Sequence, residues 1–293
     1  MTLPDRPLFL IGTGRCGSSL LLQLLGYHPD VAWMSHYTNR LPGGPWWAAL
    51  HRIHTMPGWE GWLPRATSPW VPQATEHYRA LRRATDGRFT APHELTAHDC
   101  TPADRARLQA LASGHVRAQG AKRFLMKHTG FARIDYLLAA FPDARFVHVE
   151  RDGRAVAASL TQVDWWSGEA GWGWGALSDD QRDRYRESGY HELALAGLYW
   201  EVLMDALRRA VAAAPADRVL TVRYDALVAD PASTLTAILS FADLAPSPVF
   251  DRRVAATPMT SDDRRWRKRL SSDDVRRLEA TLAPSLARFG FSP

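Results

Sequence analysis

Residues 7–25 read PLFLIGTGRCGSSLLLQLL. The apolar run from Leu8 to Ile11 ends in Gly12, the pattern of a strand buried on both faces. A second apolar run, LLLQLLG, stops at Gly26 with Pro29 beyond it, as helices stop. Between them lies Gly12-Thr13-Gly14-Arg15-Cys16-Gly17-Ser18-Ser19. A glycine-rich turn from a strand into a helix brings backbone N–H groups and the positive end of the helix dipole to one point, which suits an anion. Ser18 and Ser19 add hydroxyl donors, and Arg15 adds a full charge.

Outward from this unit the chain keeps alternating. KRFLMK (122–127) and ARFVHVE (144–150) read as strands, and FARIDYLLAAF (131–141) reads as an amphipathic helix between them. RDGRAVAASL opens another helix. RVLTVRY (218–224) is a further strand. Residues 101–118, 190–214 and 230–244 read as helices, and so does 271–289, with Ser271 as N-cap. Residues 33–75, rich in Pro, Gly and Trp, read as loops and short helices, and 161–189 as a polar insertion. The alternation predicts an α/β fold with a mostly parallel sheet and helices on both faces. No repeat and no linker divides the chain, so residues 1–293 read as one domain.

The composition agrees. With 293 residues, 46% hydrophobic and 23% charged, the chain reads as globular and not as disordered or fibrous. No apolar run approaches the ~20 residues of a membrane span. The first apolar run is short and follows Asp5, so no export signal is expected. Two cysteines, Cys16 and Cys100, make no disulfide framework, and no Cys/His cluster has zinc spacing, so a reducing cytoplasm is the expected compartment and no metal is expected. The net charge of +5 is mild and its basic residues are scattered; this suits an anionic ligand and argues against nucleic acid. Only three residues are lysine, Lys122, Lys127 and Lys268, in a chain whose default cation is arginine.

The triphosphatase loop G-x-x-x-x-G-K-[ST] spaces its glycines as Gly12 and Gly17 are spaced, but Ser18 stands where the γ-phosphate lysine should be. The loop suits a phosphate and disfavours a kinase or ATPase. A second anion motif follows in ERDGRAVAASL: Arg151 ends a strand, and Ser159 lies eight residues on, in the next helix.

Taken together, PLFLIGTGRCGSSLLLQLLGYHPDV and FPDARFVHVERDGRAVAASL resemble the 5'-phosphosulfate loop and the 3'-phosphate motif of the sulfotransferases that use 3'-phosphoadenosine 5'-phosphosulfate (PAPS). VLTVRYDALVADPASTLTAILSFADL and RRWRKRLSSDDVRRLEATLAPSLARFGF resemble that family's later strand–helix segment and C-terminal helix. The likeness covers roughly residues 7–36, 122–160 and 195–291 and is nearest the bacterial and tyrosylprotein-type branch. It implies a three-layer sandwich of P-loop NTPase-like topology with loop and helix insertions, and PAPS as co-substrate with 3'-phosphoadenosine 5'-phosphate (PAP) as product. It also implies nucleotide contacts at Arg15, Cys16, Gly17, Ser18, Ser19, Arg151, Ser159, Tyr224 and Arg265, with Cys16 filling space.

Sulfuryl transfer puts negative charge on the leaving bridging oxygen, so cations must be aimed there; Arg15 and Lys127 are the candidates. A base near neutral pKa would take the acceptor's proton. The resemblance puts His36 where the tyrosylprotein-type branch carries its base glutamate. It puts Lys127 where the cytosolic branch carries a lysine on the transferred group, and that branch's base histidine at the place of Thr129. The adjacent His128 is the second choice for base, and Glu94 in PHELTAHD is the third. Neighbours on a strand point to opposite faces, so Lys127 and His128 should not both face the site. The tryptophans of residues 33–70 and Trp165, Trp166, Trp172 and Trp174 flank the two motifs. They suggest an acceptor with an apolar or aromatic part, whether small molecule, glycan or peptide, under a lid made by residues 33–118 and 161–189. The rival readings are a P-loop phosphotransferase such as a nucleoside kinase, and a non-catalytic nucleotide-binding module.

Overall fold

The computed structural model describes residues 5–40, 44–56, 72–173, 175–259 and 263–291. Trp59, Trp62, Trp70 and Trp174, expected near the acceptor, lie outside the described residues. The first strand is β1 (Leu8–Gly12), followed by helix α1 (Ser18–Leu25), the short strand β2 (Val31–Trp33), α2 (His36–Arg40), α3 (Tyr78–Ala84) and α4 (Pro102–Gln119). Then come β3 (Arg123–Thr129), α5 (Ile134–Ala140), β4 (Arg145–Glu150), α6 (Gly153–Leu160), α7 (Asp179–Glu187) and α8 (Glu192–Ala213). The chain finishes with β5 (Val219–Arg223), α9 (Tyr224–Ala229), α10 (Pro231–Phe241), α11 (Pro248–Ala255) and α12 (Ser272–Phe289).

The strands form one sheet in the order β2-β3-β1-β4-β5, and every pairing is parallel. β1 is central and buried along its whole length. Its alternate side chains enter two cores: Phe9 and Ile11 pack with residues of α4 and α5, whereas Leu8 and Leu10 pack with α1, α10 and α11. Helices therefore cover both faces, as the alternation of elements requires. A third core joins α6, α8 and α12 around the fully buried Trp200.

Two elements differ from the sequence reading. β2 falls at the edge of the stretch read as loops and short helices: its three residues carry no periodicity and owe their strand form to the register with Arg123, Phe124 and Leu125. α7 lies inside the polar insertion. Its sequence DDQRDRYRE has no apolar stripe; it is held by a capping box between Ser178 and Gln181 and by the Arg184–Glu201 ion pair at 2.9 Å to α8. Among the described residues no helix is long and apolar enough to cross a membrane.

Candidate active site

The turn after β1 is shaped by three left-handed residues, Gly14 (φ 85°), Arg15 (φ 53°) and Gly17 (φ 92°). Gly17 caps α1, and a Cβ there would lie 2.1 Å from the Tyr224 ring, so both its conformation and its surroundings exclude a side chain. Gly12 is excluded for a different reason: a Cβ would meet Cys16 Sγ at 2.5 Å and the Val149 carbonyl at 2.9 Å. Cys16 is thus buried beneath the turn, filling the space the glycine leaves. The Tyr199 hydroxyl of α8 donates to the Thr13 carbonyl at 3.1 Å and holds the turn from behind.

The second motif closes on this turn. Arg15 Nε donates to Ser159 Oγ at 3.0 Å, and Arg151 Nη1 donates to the Arg15 carbonyl at 3.0 Å. The Arg151 guanidinium also lies over the Tyr224 ring, 4.2 Å from its centre. Residues 15, 17, 151, 159 and 224, far apart in sequence, therefore form one surface at the carboxyl ends of β1, β4 and β5. Arg151 is placed by Trp200, whose Nε1 donates to the Arg151 carbonyl at 3.1 Å and whose ring occupies the space beside Gly153.

A cavity of about 600 Å³ runs from this surface towards residues 76–92. Lys127 lies on its wall: Nζ donates to Ser19 Oγ at 2.6 Å and pairs with Glu76 at 3.2 Å. The Thr129 hydroxyl donates to the same Glu76 oxygen atom at 2.8 Å. Burial, and then the neighbouring Glu76 charge, push the Tyr78 hydroxyl above its usual range, so it stays protonated. At the far end Arg133 is almost wholly buried. Its guanidinium donates to the carbonyls of Phe89 (3.1 Å), Ala91 (2.6 Å) and His93 (2.6 Å), which fixes the loop that forms the wall. Burial pulls Arg133 down to about 10, still charged at neutral pH. The cavity wall thus carries four cations, Arg15, Lys127, Arg133 and Arg151, against Glu76. Among the described residues, no group of His, Cys, Asp and Glu could hold a metal ion.

A family model described as the sulfotransferase family matches residues 7–248, which include both motifs. The chain belongs to the sulfotransferase family. As a sulfotransferase it is an enzyme of sulfuryl transfer, and membership disfavours the kinase alternative. Among solved structures, sulfotransferase STF9 from Mycobacterium avium is 15% identical, with 99% of this chain and 78% of that chain covered and a TM-score of 0.55. Sulfotransferase STF1 from Mycobacterium tuberculosis H37Rv is 20% identical, with 94% and 76% covered and a TM-score of 0.53. At such identities both show the fold alone, and it is the P-loop-like α/β fold. No curated protein matches the chain significantly.

Within this sulfotransferase the remaining candidates sit as follows. Ser18 is buried at the start of α1. His36 opens α2, half-buried and outside the cavity wall; its Nδ1 accepts the Gln73 N–H at 3.3 Å and its ring packs on Tyr37 at 4.4 Å. His128 is buried on the opposite side of β3 from Lys127 and Thr129, with its ring 4.8 Å from that of Phe89 and Nε2 at 3.3 Å from the Phe131 carbonyl. Burial, with the charges of Arg133 and Lys127, lowers it to about 3, so it is neutral and weakly basic. Glu94 pairs with Arg209 at 2.8 Å on the surface. Arg265 is exposed on the segment Asp263–Arg269, outside the cavity wall, while its neighbour Trp266 is buried beneath Arg154. Sequence reasoning did not find Glu76, Tyr199 or Arg133. Glu76 stands alone in ATEHY, without motif or spacing, and reaches the site only because the chain returns past β2 through a bridge between Ser35 and Ala74.

Proposed function

We propose that the enzyme transfers the sulfuryl group of PAPS to a hydroxyl or amine of an acceptor by in-line displacement. One observation carries the reading: Arg15 touches Ser159 and Arg151 touches Arg15, so the two phosphate motifs act as one anion-binding surface. The residues present fit the co-substrate. The turn Gly12–Ser19 with the α1 N-terminus would hold the 5'-phosphosulfate, Arg151 and Ser159 the 3'-phosphate, and Tyr224 would lie by the base. Lys127 and Arg15 would stabilise the charge that builds on the leaving oxygen, so the scheme uses no metal. Arg265, exposed on its own segment, is the weakest member of the nucleotide set.

The acceptor half of the reading rests on the wall. Thr90, Ala91 and Pro92 come from the first insertion and Trp165 from the second, which supports residues 33–118 and 161–189 as a lid on one domain. Tyr78, Phe131 and Trp165 would favour an acceptor with an apolar or aromatic part. Two buried, unpaired cysteines suit a reducing cytoplasm.

A thermal-shift comparison of PAP, adenosine 5'-phosphosulfate, ADP and ATP tests the co-substrate. PAP at a hundredfold excess over Kd should stabilise by roughly 2.7 kcal/mol. Adenosine 5'-phosphosulfate, lacking the 3'-phosphate, should do far less. Equal shifts with and without the 3'-phosphate overturn the assignment. Turnover should survive EDTA; loss restored by magnesium favours the phosphotransferase, and PAP binding with no transfer to any acceptor favours the binding module.

A further inference from the structure

Among the described residues, Glu76 is the only carboxylate on the wall of the cavity. Its side chain is 22% exposed, open enough to meet a ligand, and it bonds to Lys127 and Thr129 of β3, with the Tyr78 hydroxyl beside it. Lys127 touches Ser19 of the phosphate turn and Glu76 of the acceptor wall at the same time. We propose that Glu76 is the base that takes the acceptor's proton, and that Lys127 masks it until the nucleotide is bound. This rests on the co-substrate reading above.

A carboxylate held by an ammonium and a hydroxyl is a poor proton acceptor; it becomes a better one when the ammonium finds another anion. Ser19, 2.6 Å from Nζ, belongs to the turn that would hold the phosphosulfate, so an anion there competes with Glu76 for Lys127. The same shift carries the cation towards the oxygen on which charge will build. Thr129 keeps its bond to Glu76 and so keeps the carboxylate aimed. In the step itself, the acceptor O–H or N–H bond breaks and its proton passes to Glu76. The acceptor's lone pair forms the new bond to sulfur, and the bond from sulfur to the 5'-phosphate oxygen breaks. That electron pair leaves on PAP, next to Lys127 and Arg15. Glu76 then gives its proton to water. Masking the base in the free enzyme ties deprotonation to a loaded site.

The test compares wild type with Glu76→Gln, which keeps the shape and the hydroxyl contact but accepts no proton. Two quantities are read: PAP affinity by calorimetry, and inorganic sulfate released from PAPS at high enzyme concentration, with water as the probe acceptor. Sulfate release should fall by roughly 10²–10⁴-fold and lose the acid limb of its pH profile. PAP should bind at least as tightly as to wild type, because Lys127 no longer has a competing partner. A variant that keeps its sulfate release overturns the base. A variant that loses release and PAP affinity together, by tenfold or more, overturns the mask and makes Glu76 a support for Lys127. Wild type that binds PAP but releases no sulfate overturns the base as well, since water would fill the acceptor side. Wild type that fails to bind PAP overturns the co-substrate reading instead.

Discussion

At one end of the cavity, the groups proposed to meet the nucleotide come almost entirely from Gly12–Ser19 and Arg151–Ser159, each a turn from a strand into the next helix. At the other end, Glu76 with Tyr78, Thr90 and Arg133 come from three segments of the chain that are fixed by contacts distant in sequence. The first end is held by backbone conformation: left-handed residues at 14, 15 and 17, and a helix terminus. The second is held by buried polar side chains. The two constructions should fail under different insults.

Acid is the largest. His51, stacked on Trp33 of β2, His77, next to Glu76 in the chain, and His128 are buried and lowered from 6.5 to about 3, in each case chiefly by desolvation. A histidine whose folded value is depressed binds fewer protons folded than unfolded, so stability is full above about 6.5 and drains as pH falls towards the folded value. One pH unit below 6.5, each contributes about 1.4 kcal/mol of loss, or about 4 kcal/mol for the three. On β4, beside β1, His148 is lowered to about 4, also by burial, one such group against three. Hydrogen exchange at pH 5.5 should therefore show residues 72–93 and β2 opening before the turn 12–19. Simultaneous opening of both ends would dissolve the distinction.

Arg151→Ala should cost about 1.5–3 kcal/mol of PAP affinity, the value of a charge-assisted contact. The free protein should keep its melting temperature closely, because the bond of Arg151 to the Arg15 carbonyl and its stack on Tyr224 lie on the open surface proposed for the nucleotide. A fall in stability as large as the fall in affinity would mean that the nucleotide end, too, is held by side chains.

This difference explains what could be read from the sequence. Backbone geometry is written locally: Gly12, Gly14 and Gly17 at fixed offsets between two apolar runs specify strand, turn and helix, and that unit fixed the order of everything after it. Arg151 and Ser159 were legible for the same reason, since the end of β4 must lie beside the end of β1. Glu76 was not legible, because its position depends on a lone bridge from Ala74 to Ser35 and on Lys127 across the sheet. His36 was reached by counting forward from Arg15 without gaps. In the fold, α2 turns its ring onto Gln73 and Tyr37. The alternation rule turns His128 onto Phe89 and Phe131 and away from Glu76, yet Lys127 and His128 both reach the cavity wall, so alternation along a strand did not decide which side chains meet the site.

Gly17→Ala probes backbone conformation directly. A side chain at φ 92° costs about 1–2 kcal/mol. The Tyr224 ring must also move, which loosens its stack with Arg151, worth about 0.5–1 kcal/mol. Combining Gly17→Ala with Tyr224→Ala removes the collision and leaves the conformational cost. Denaturant melts of the single and double variants should therefore differ, and neither should regain wild-type PAP affinity. Full recovery in the double variant would show that space, and not conformation, selects glycine here.

The smallest effect belongs to Glu94, and it sharpens the comparison most closely because Glu94 and Glu76 are the same residue type in the same insertion. Glu94 is 44% exposed and paired with Arg209, itself 67% exposed. An ion pair open to water on both sides is worth about 0–1 kcal/mol, so Glu94→Gln should shift stability by no more than about 0.5 kcal/mol and leave sulfate release unchanged. Glu76, with a side chain 22% exposed against a lysine at 8%, sits where the same charge is screened less and faces the cavity. Measured side by side, the two substitutions delete one carboxylate each, and only surroundings separate them. A loss of turnover in Glu94→Gln matching that in Glu76→Gln would mean that the exposed wall moves onto the acceptor during turnover. Position in the resting fold would then no longer identify the base.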